Sequence, residues 1–278
     1  MLKSQYIILS VAILLVAGLA LLPKVVVNDG DRQLSASSGS AAIASETSEG
    51  PAAPMNQIPA SAKQQLDELV EAYQIAGSEA DKMSALKQLS AFFTDLGRPD
   101  SAAWYAADFA DLFSSEASVT LAGESYYNAY LLAGSKEQAT AYSAKARAYL
   151  QQALEYNPGS QDLKVKLGMT WVASENPMQG IMMIREVIRD NPEHKGALMS
   201  LGMLSMQSGQ YDKAVERFQT LKALAPEDTQ ARFYLGISLL ETGQQQQAVE
   251  ELRYVQQNET NPQILASVEE LIKSTTAQ

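Results

Sequence analysis

Residues 195–228 read KGALMSLGMLSMQSGQYDKAVERFQTLKALAPED, and their pattern recurs on both sides. Leu167-Gly168, Leu201-Gly202 and Leu235-Gly236 lie 34 residues apart. The same interval separates Pro158, Pro192 and Pro226, and again Gly180, Ala214 and Ala248. Three kinds of residue holding one period mark an array of helix-turn-helix units. Leu198, Leu201, Gly202 and Ser205 fall at helical spacing. Gly209 stops that helix, because glycine readily takes the left-handed conformation of a C-cap. Ala214, Val215, Phe218, Leu221 and Lys222 make a second helix, which Pro226 ends. Gly202 and Ala214 are the small residues that let the two helices approach closely.

Taken together, the units 161–194, 195–228 and 229–262 resemble the tetratricopeptide repeat (TPR). The residues carrying the resemblance in the central unit are Leu201, Gly202, Tyr211, Ala214, Phe218 and Pro226. The unit before it supplies Leu167, Gly168, Trp171, Gly180, Ile184 and Pro192. The unit after it supplies Leu235, Gly236, Gly243, Ala248 and Leu252, with its closing proline at Pro262. The resemblance implies an all-α fold: a right-handed TPR-type helical solenoid of antiparallel helix pairs. A lone pair cannot bury its apolar face, so neighbouring units must stack.

Outward from this core the pattern weakens but continues. Leu89, Ser90, Phe93, Gly97, Ala102 and Phe109 repeat the spacing in a unit over 83–116. Ser61 with Gln64 has the form of a capping box that opens a helix ending at Gly77, and Ser78 caps the next. Between 117 and 160 the period breaks, and two longer helices, 117–133 and 136–157, are expected. Phe92, Phe93, Trp104, Tyr105, Phe109, Phe113, Tyr126, Tyr127 and Tyr130 crowd this end as core between helices or as a peptide-stacking ledge. After Pro262, a short helix carries Ile264, Leu265, Val268, Leu271 and Ile272 on one face, as a cap for the open end of the stack.

The amino-terminal region has another character. Tyr6 to Leu22 is a run of 17 residues without a charge, flanked by Lys3 and Lys24. It reads as one transmembrane helix or as a signal peptide cut after Ala20. Asn28 to Ala60 is rich in Ser, Ala, Gly, Pro and acid, and is expected to be a disordered linker spanning about 30 Å. The chain therefore divides into an anchor (1–27), a linker (28–60), a divergent helical part (61–160), three regular units (161–262) and a capping helix with a tail (263–278).

With a net charge of −11, the chain lacks the row of cations that nucleic acid requires. It has no cysteine and a single histidine, His194, read as a solvated loop residue, so no metal set and no cofactor are expected. No nucleophile stands with a base, and no catalytic residue is assigned.

What remains is a binding surface. The TPR groove positions on the first helix of each unit fall here on Val165, Met169 and Val172, then Met199, Met203 and Met206, then Phe233, Ile237 and Leu240. All nine are apolar, and none carries the cations with which this family's chaperone-tail clamps grip a terminal carboxylate. Seven of the ten methionines fall between Met169 and Met206, and methionine suits surfaces that accept varied apolar partners. The nine form a groove for an amphipathic or extended protein segment, or they pack on neighbouring helices. The layout of anchor, linker and array resembles bacterial envelope TPR scaffolds, which implies a non-enzymatic adaptor in the inner membrane with its body on the periplasmic side. A homo-oligomerising structural protein and a cytosol-facing receptor with the same anchor are the alternatives.

Overall fold

The computed structural model describes residues 58–276, all of whose regular structure is helical. The apolar run 6–22 and the linker up to residue 57 lie outside the described residues. The twelve helices are α1 (Ala60–Ile75), α2 (Glu79–Asp95), α3 (Pro99–Leu112), α4 (Glu116–Leu131), α5 (Lys136–Tyr156), α6 (Gln161–Val172), α7 (Pro177–Asp190), α8 (Lys195–Gln207), α9 (Tyr211–Leu224), α10 (Thr229–Glu241), α11 (Gln245–Asn258) and α12 (Pro262–Thr276). Consecutive helices pack on one another along the whole stack, an α-helical solenoid. No helix among the described residues is long and apolar enough to cross a membrane.

The 34-residue period is also a period of caps. Ser160, His194 and Asp228 precede α6, α8 and α10, and their side chains accept hydrogen bonds from the amides of Leu163, Ala197 and Ala231. Each satisfies one of the donors that a helix start leaves unpaired. His194 is thus no solvated loop residue: its side chain is 10% exposed, Nδ1 accepts from Ala197, and Nε2 lies 3.4 Å from Asp162 Oδ1. The far ends of α2, α8 and α10 share a second device. Gly97, Gly209 and Gly243 have φ of +66°, +73° and +78°. The amide after each glycine donates to a carbonyl five residues back, as Gln210 does to Ser205. The turn from α6 to α7 has no such glycine and enters α7 through Pro177.

α1 departs from the expected capping box. It starts at Ala60 after Pro59, with no side-chain cap, and the Ala62 amide donates to the Pro59 carbonyl. The fixed φ of proline opens the first turn ahead of Ser61.

Within each regular unit the two helices meet at the small residues. A side chain on Gly202 would collide with Phe218, and one on Gly236 with Leu252. Gly168 stands against Ile184 and Gly180, and Gly180 against the Gly168 carbonyl. Ile184, Phe218 and Leu252, one period apart, are completely buried. Around α1 to α5 the aromatic residues supply the bulk of the core. Phe92, Phe93, Phe109, Tyr126 and Tyr130 are buried, while Trp104, Tyr105, Phe113 and Tyr127 are half-buried against other rings. That placement uses them as packing rather than as an open ledge. At the other end α12 buries Val268 and Leu271 with Phe233, Leu252 and Val255.

Candidate protein-binding surface

The nine residues of the expected groove do not form one open strip. Val165, Met169 and Val172 on α6 are 6%, 2% and 4% exposed, and Phe233 on α10 is 3% exposed. These four are corrected from groove lining to core. The first three pack with Ile181, Ile184 and Val187 of α7 and with Ala197 and Leu201 of α8, and Tyr127 reaches in from α4. Phe233 is covered by α12 through Val268 and Leu271. The reason is stacking: the flank of one first helix is the seat of the next. A single unit's pattern cannot show how far the neighbour leans over it.

The other five stay half-exposed. Met199, Met203 and Met206 of α8 and Leu240 of α10 rest on the cluster around Leu198, Phe218 and Leu235, and Ile237 rests against the α12 cluster. They form the open remainder of the strip: flexible side chains with one side on the core and the other toward solvent.

A further opening lies away from these nine positions. The first helices α6 and α8, and α8 and α10, touch directly, whereas α2 and α4 have no comparable contact. Between α2 and α4 lies a cleft of about 790 Å³. Met83, Leu86, Ala117, Thr120 and Leu121 line its walls, and Glu79, Lys87, Glu116 and Glu124 its rim. Ser90, Ala117 and Thr120, all short side chains, are among the residues that line it. Those short residues were the available signal. Ser115 donates to Glu79 at the rim, and Glu124 is ion-paired with Lys166 of α6.

Electrostatics elsewhere is structural. Glu251 is 4% exposed on α11 and holds Lys222 of α9 and Arg232 of α10. Arg232 also lies over the Tyr254 ring and donates to the Pro226 carbonyl. Tyr73 donates to Asp108, and Tyr149 to Asp111, tying α1 and α5 to α3. Burial pushes the hydroxyls of Tyr126 and Tyr127 up to about 12, with Tyr142 and Asp111 adding to the shift at Tyr126. No cluster of three or more His, Cys, Asp or Glu able to hold a metal occurs among the described residues.

Helix pairs, shared caps and small-residue crossings thus recur at one period. Residues 201–262 match the tetratricopeptide-repeat family model. No curated protein matches the chain. Among solved structures, a mutant of MamA is similar at 20% identity and a TM-score of 0.46, over 59% of this chain and 87% of that one. MamA from Desulfovibrio magneticus RS-1 is similar at 17% identity and a TM-score of 0.45, over 66% and 96%. YrrB, described as a TPR protein with an unusual peptide-binding site, is similar at 16% identity and a TM-score of 0.41, over 66% and 90%.

Proposed function

We propose that this chain is a non-enzymatic TPR scaffold that holds an apolar or amphipathic segment of a partner protein along the face formed by its first helices. The observation that carries this reading is the cleft between α2 and α4. Two successive first helices stand apart there, and Met83 and Leu121 in its walls are only partly covered by the protein's own packing. An apolar recess without an internal filler is what an anchoring side chain of a partner needs. Met199, Met203 and Met206 extend the same apolar character along the stack. The apolar run from Tyr6 to Leu22 supports a membrane tether, with the array on the extracytoplasmic side and a role in envelope protein assembly or maturation.

The test is site-specific photocrosslinking in cells, with a benzophenone side chain placed at Thr120, at Met203 and, as a control, at Gln219 on the exposed side of α9. Adducts with a partner protein at Thr120 or Met203 and none at Gln219 are expected. Adducts at no first-helix position, or equally at Gln219, overturn the reading. Protease access to the array in intact cells, compared with cells whose outer membrane is opened, tests the topology.

A further inference from the structure

The joint between the first two regular units holds the chain's single histidine. His194 stands where the 34-residue period places Ser160 and Asp228, and all three side chains cap the helix that follows them. The imidazole differs from the other two in one respect. Hydroxyl and carboxylate oxygens accept hydrogen bonds throughout pH 5 to 8, whereas an imidazole ordinarily gains its second proton in that interval.

The geometry fixes which form of the ring can cap. Nδ1 accepts from the Ala197 amide at 3.2 Å. A ring nitrogen accepts only while it carries no proton, so the capping ring is neutral with its proton on Nε2. Nε2 faces Oδ1 of Asp162 on α6 at 3.4 Å. A proton on Nδ1 would set two donors against each other and place a positive charge at the positive end of the α8 dipole. The Asp162 carboxylate acts in the other direction, since it favours the charged ring. The cap therefore selects the neutral ring and Asp162 the charged one. The chain neighbours Glu193 and Lys195 are exposed. At the end of α7, Asp190 is paired with Arg189, and Asn191 donates to Gln161.

The ring also has space to turn. The neighbouring units carry Asp162 and Gln230 at the position of Gly196. A side chain on Gly196 would lie against the ring, 3.4 Å from Cε1 and 3.6 Å from Nδ1. The turn secured by the cap is a junction of the core. Ala197 is buried with residues of α6 and α7, and Leu198 with residues of α9 and α10, so two clusters meet in the first turn of α8.

We propose that His194 is a proton-operated joint in the solenoid: as pH falls from 8 to 5, the imidazole gives up the α8 cap, pairs with Asp162 and loosens the first turn of α8. The cap is whole on the alkaline side and lost on the acid side, because it needs the unprotonated Nδ1. No partner takes part, so the outcome is independent of the scaffold reading above.

A single histidine makes the test specific. In the full chain labelled with 15N-histidine, the imidazole signals come from His194 alone. Hydrogen exchange, corrected for its intrinsic dependence on pH, reads the helix starts. At pH 8 the signals should be those of the ring protonated on Nε2. Between pH 8 and pH 5 the protection of the first turn of α8 should fall about fivefold, the equivalent of a cap worth ~1 kcal/mol, while α6 and α10 keep theirs. His194→Ser installs the residue that Ser160 supplies to α6, so α8 should stay capped at both pH values. Asp162→Asn should move the transition to lower pH. A ring protonated on Nδ1 at pH 8, or protection in α8 that varies no more than in α6 and α10, overturns the proposal. So does an undiminished pH dependence in His194→Ser, or a transition that Asp162→Asn leaves in place.

Discussion

Gly180→Ala puts a common residue of this repeat position into the one unit that lacks it. The neighbouring units carry Ala214 and Ala248 there, and alanine favours a helix interior over glycine by about 1 kcal/mol. By sequence alone the change should stabilise. The geometry says the opposite. A methyl group on Gly180 would lie 2.1 Å from the Gly168 carbonyl oxygen and 2.7 Å from the Val172 amide nitrogen, both of them backbone. No rotamer change relieves a backbone clash, so α6 and α7 must move apart by about 1 Å to reach ordinary contact distance. A gap of that size forfeits a quarter to a half of each dispersion contact across the interface. The contacts at stake join Val165, Met169 and Val172 to Ile181, Ile184 and Val187. Overpacking at the upper end of its usual range costs about 3 kcal/mol, which leaves a net loss of about 2 kcal/mol after the propensity gain. For an array of this size that is a fall of about 4–8 °C in Tm. Because a solenoid opens unit by unit, amide exchange should accelerate most in α6 and α7. The paired experiment is Ala214→Gly, which removes a fully buried methyl from the equivalent crossing and should also destabilise. If Gly180→Ala melts at or above the parent temperature, the close approach of α6 and α7 is not the constraint argued here.

Two other perturbations follow from the polar groups. Glu251→Gln leaves Arg232 and Lys222 facing each other without their carboxylate. The expected loss is about 2 kcal/mol in urea unfolding, below the ~3–5 kcal/mol of a fully enclosed pair because Lys222 can turn toward water. Adding Arg232→Gln should recover part of it, and a double variant no better than the single one would refute the pairing. The second perturbation is alkali. The hydroxyls of Tyr126 and Tyr127 ionise near 12 in the folded chain, against 10 when unfolded, chiefly because burial disfavours the phenolate. Their raised values mean that stability is whole below pH 10 and is lost as pH climbs from 10 through about 12. Tyrosinate absorbance and loss of helical signal should then rise together in that window, first in α4 and α5. Full tyrosine ionisation with the helices intact would contradict the burial.

The array was legible because its strongest signals are local. The glycine that closes α8, the small residues at the crossings and the prolines after the second helices each act within one unit, so the 34-residue period carries them undiluted. Ser78 caps its helix as the pattern requires, and the Ser135 side chain caps α5 by accepting from the Gln138 amide. The candidate binding surface was less legible because it depends on what one unit does to the next. Val165, Met169 and Val172 have the composition of a groove, and the packing of α7 and α8 with the reach of Tyr127 closes it. The cleft between α2 and α4 has the converse origin. Its short residues, Ser90, Ala117 and Thr120, look ordinary in sequence and matter only because they face one another across two units.

An internal repeat can also reveal function without relatives. When three units share a backbone, a residue explained by packing should be explained three times over. Ile184, Phe218 and Leu252 pass that test, since each fills the same crossing. Gly180 passes it differently: its missing methyl is matched by the paired Gly168 and by the tightest approach of the three. Met178 and Met182 fail it, because Asp212, Gln246, Glu216 and Glu250 occupy their places on equally exposed faces. Side chains that neither fill a core nor solvate a surface have a cost in water and no gain in the fold, of roughly 25 cal/mol for each Å² of apolar surface left exposed.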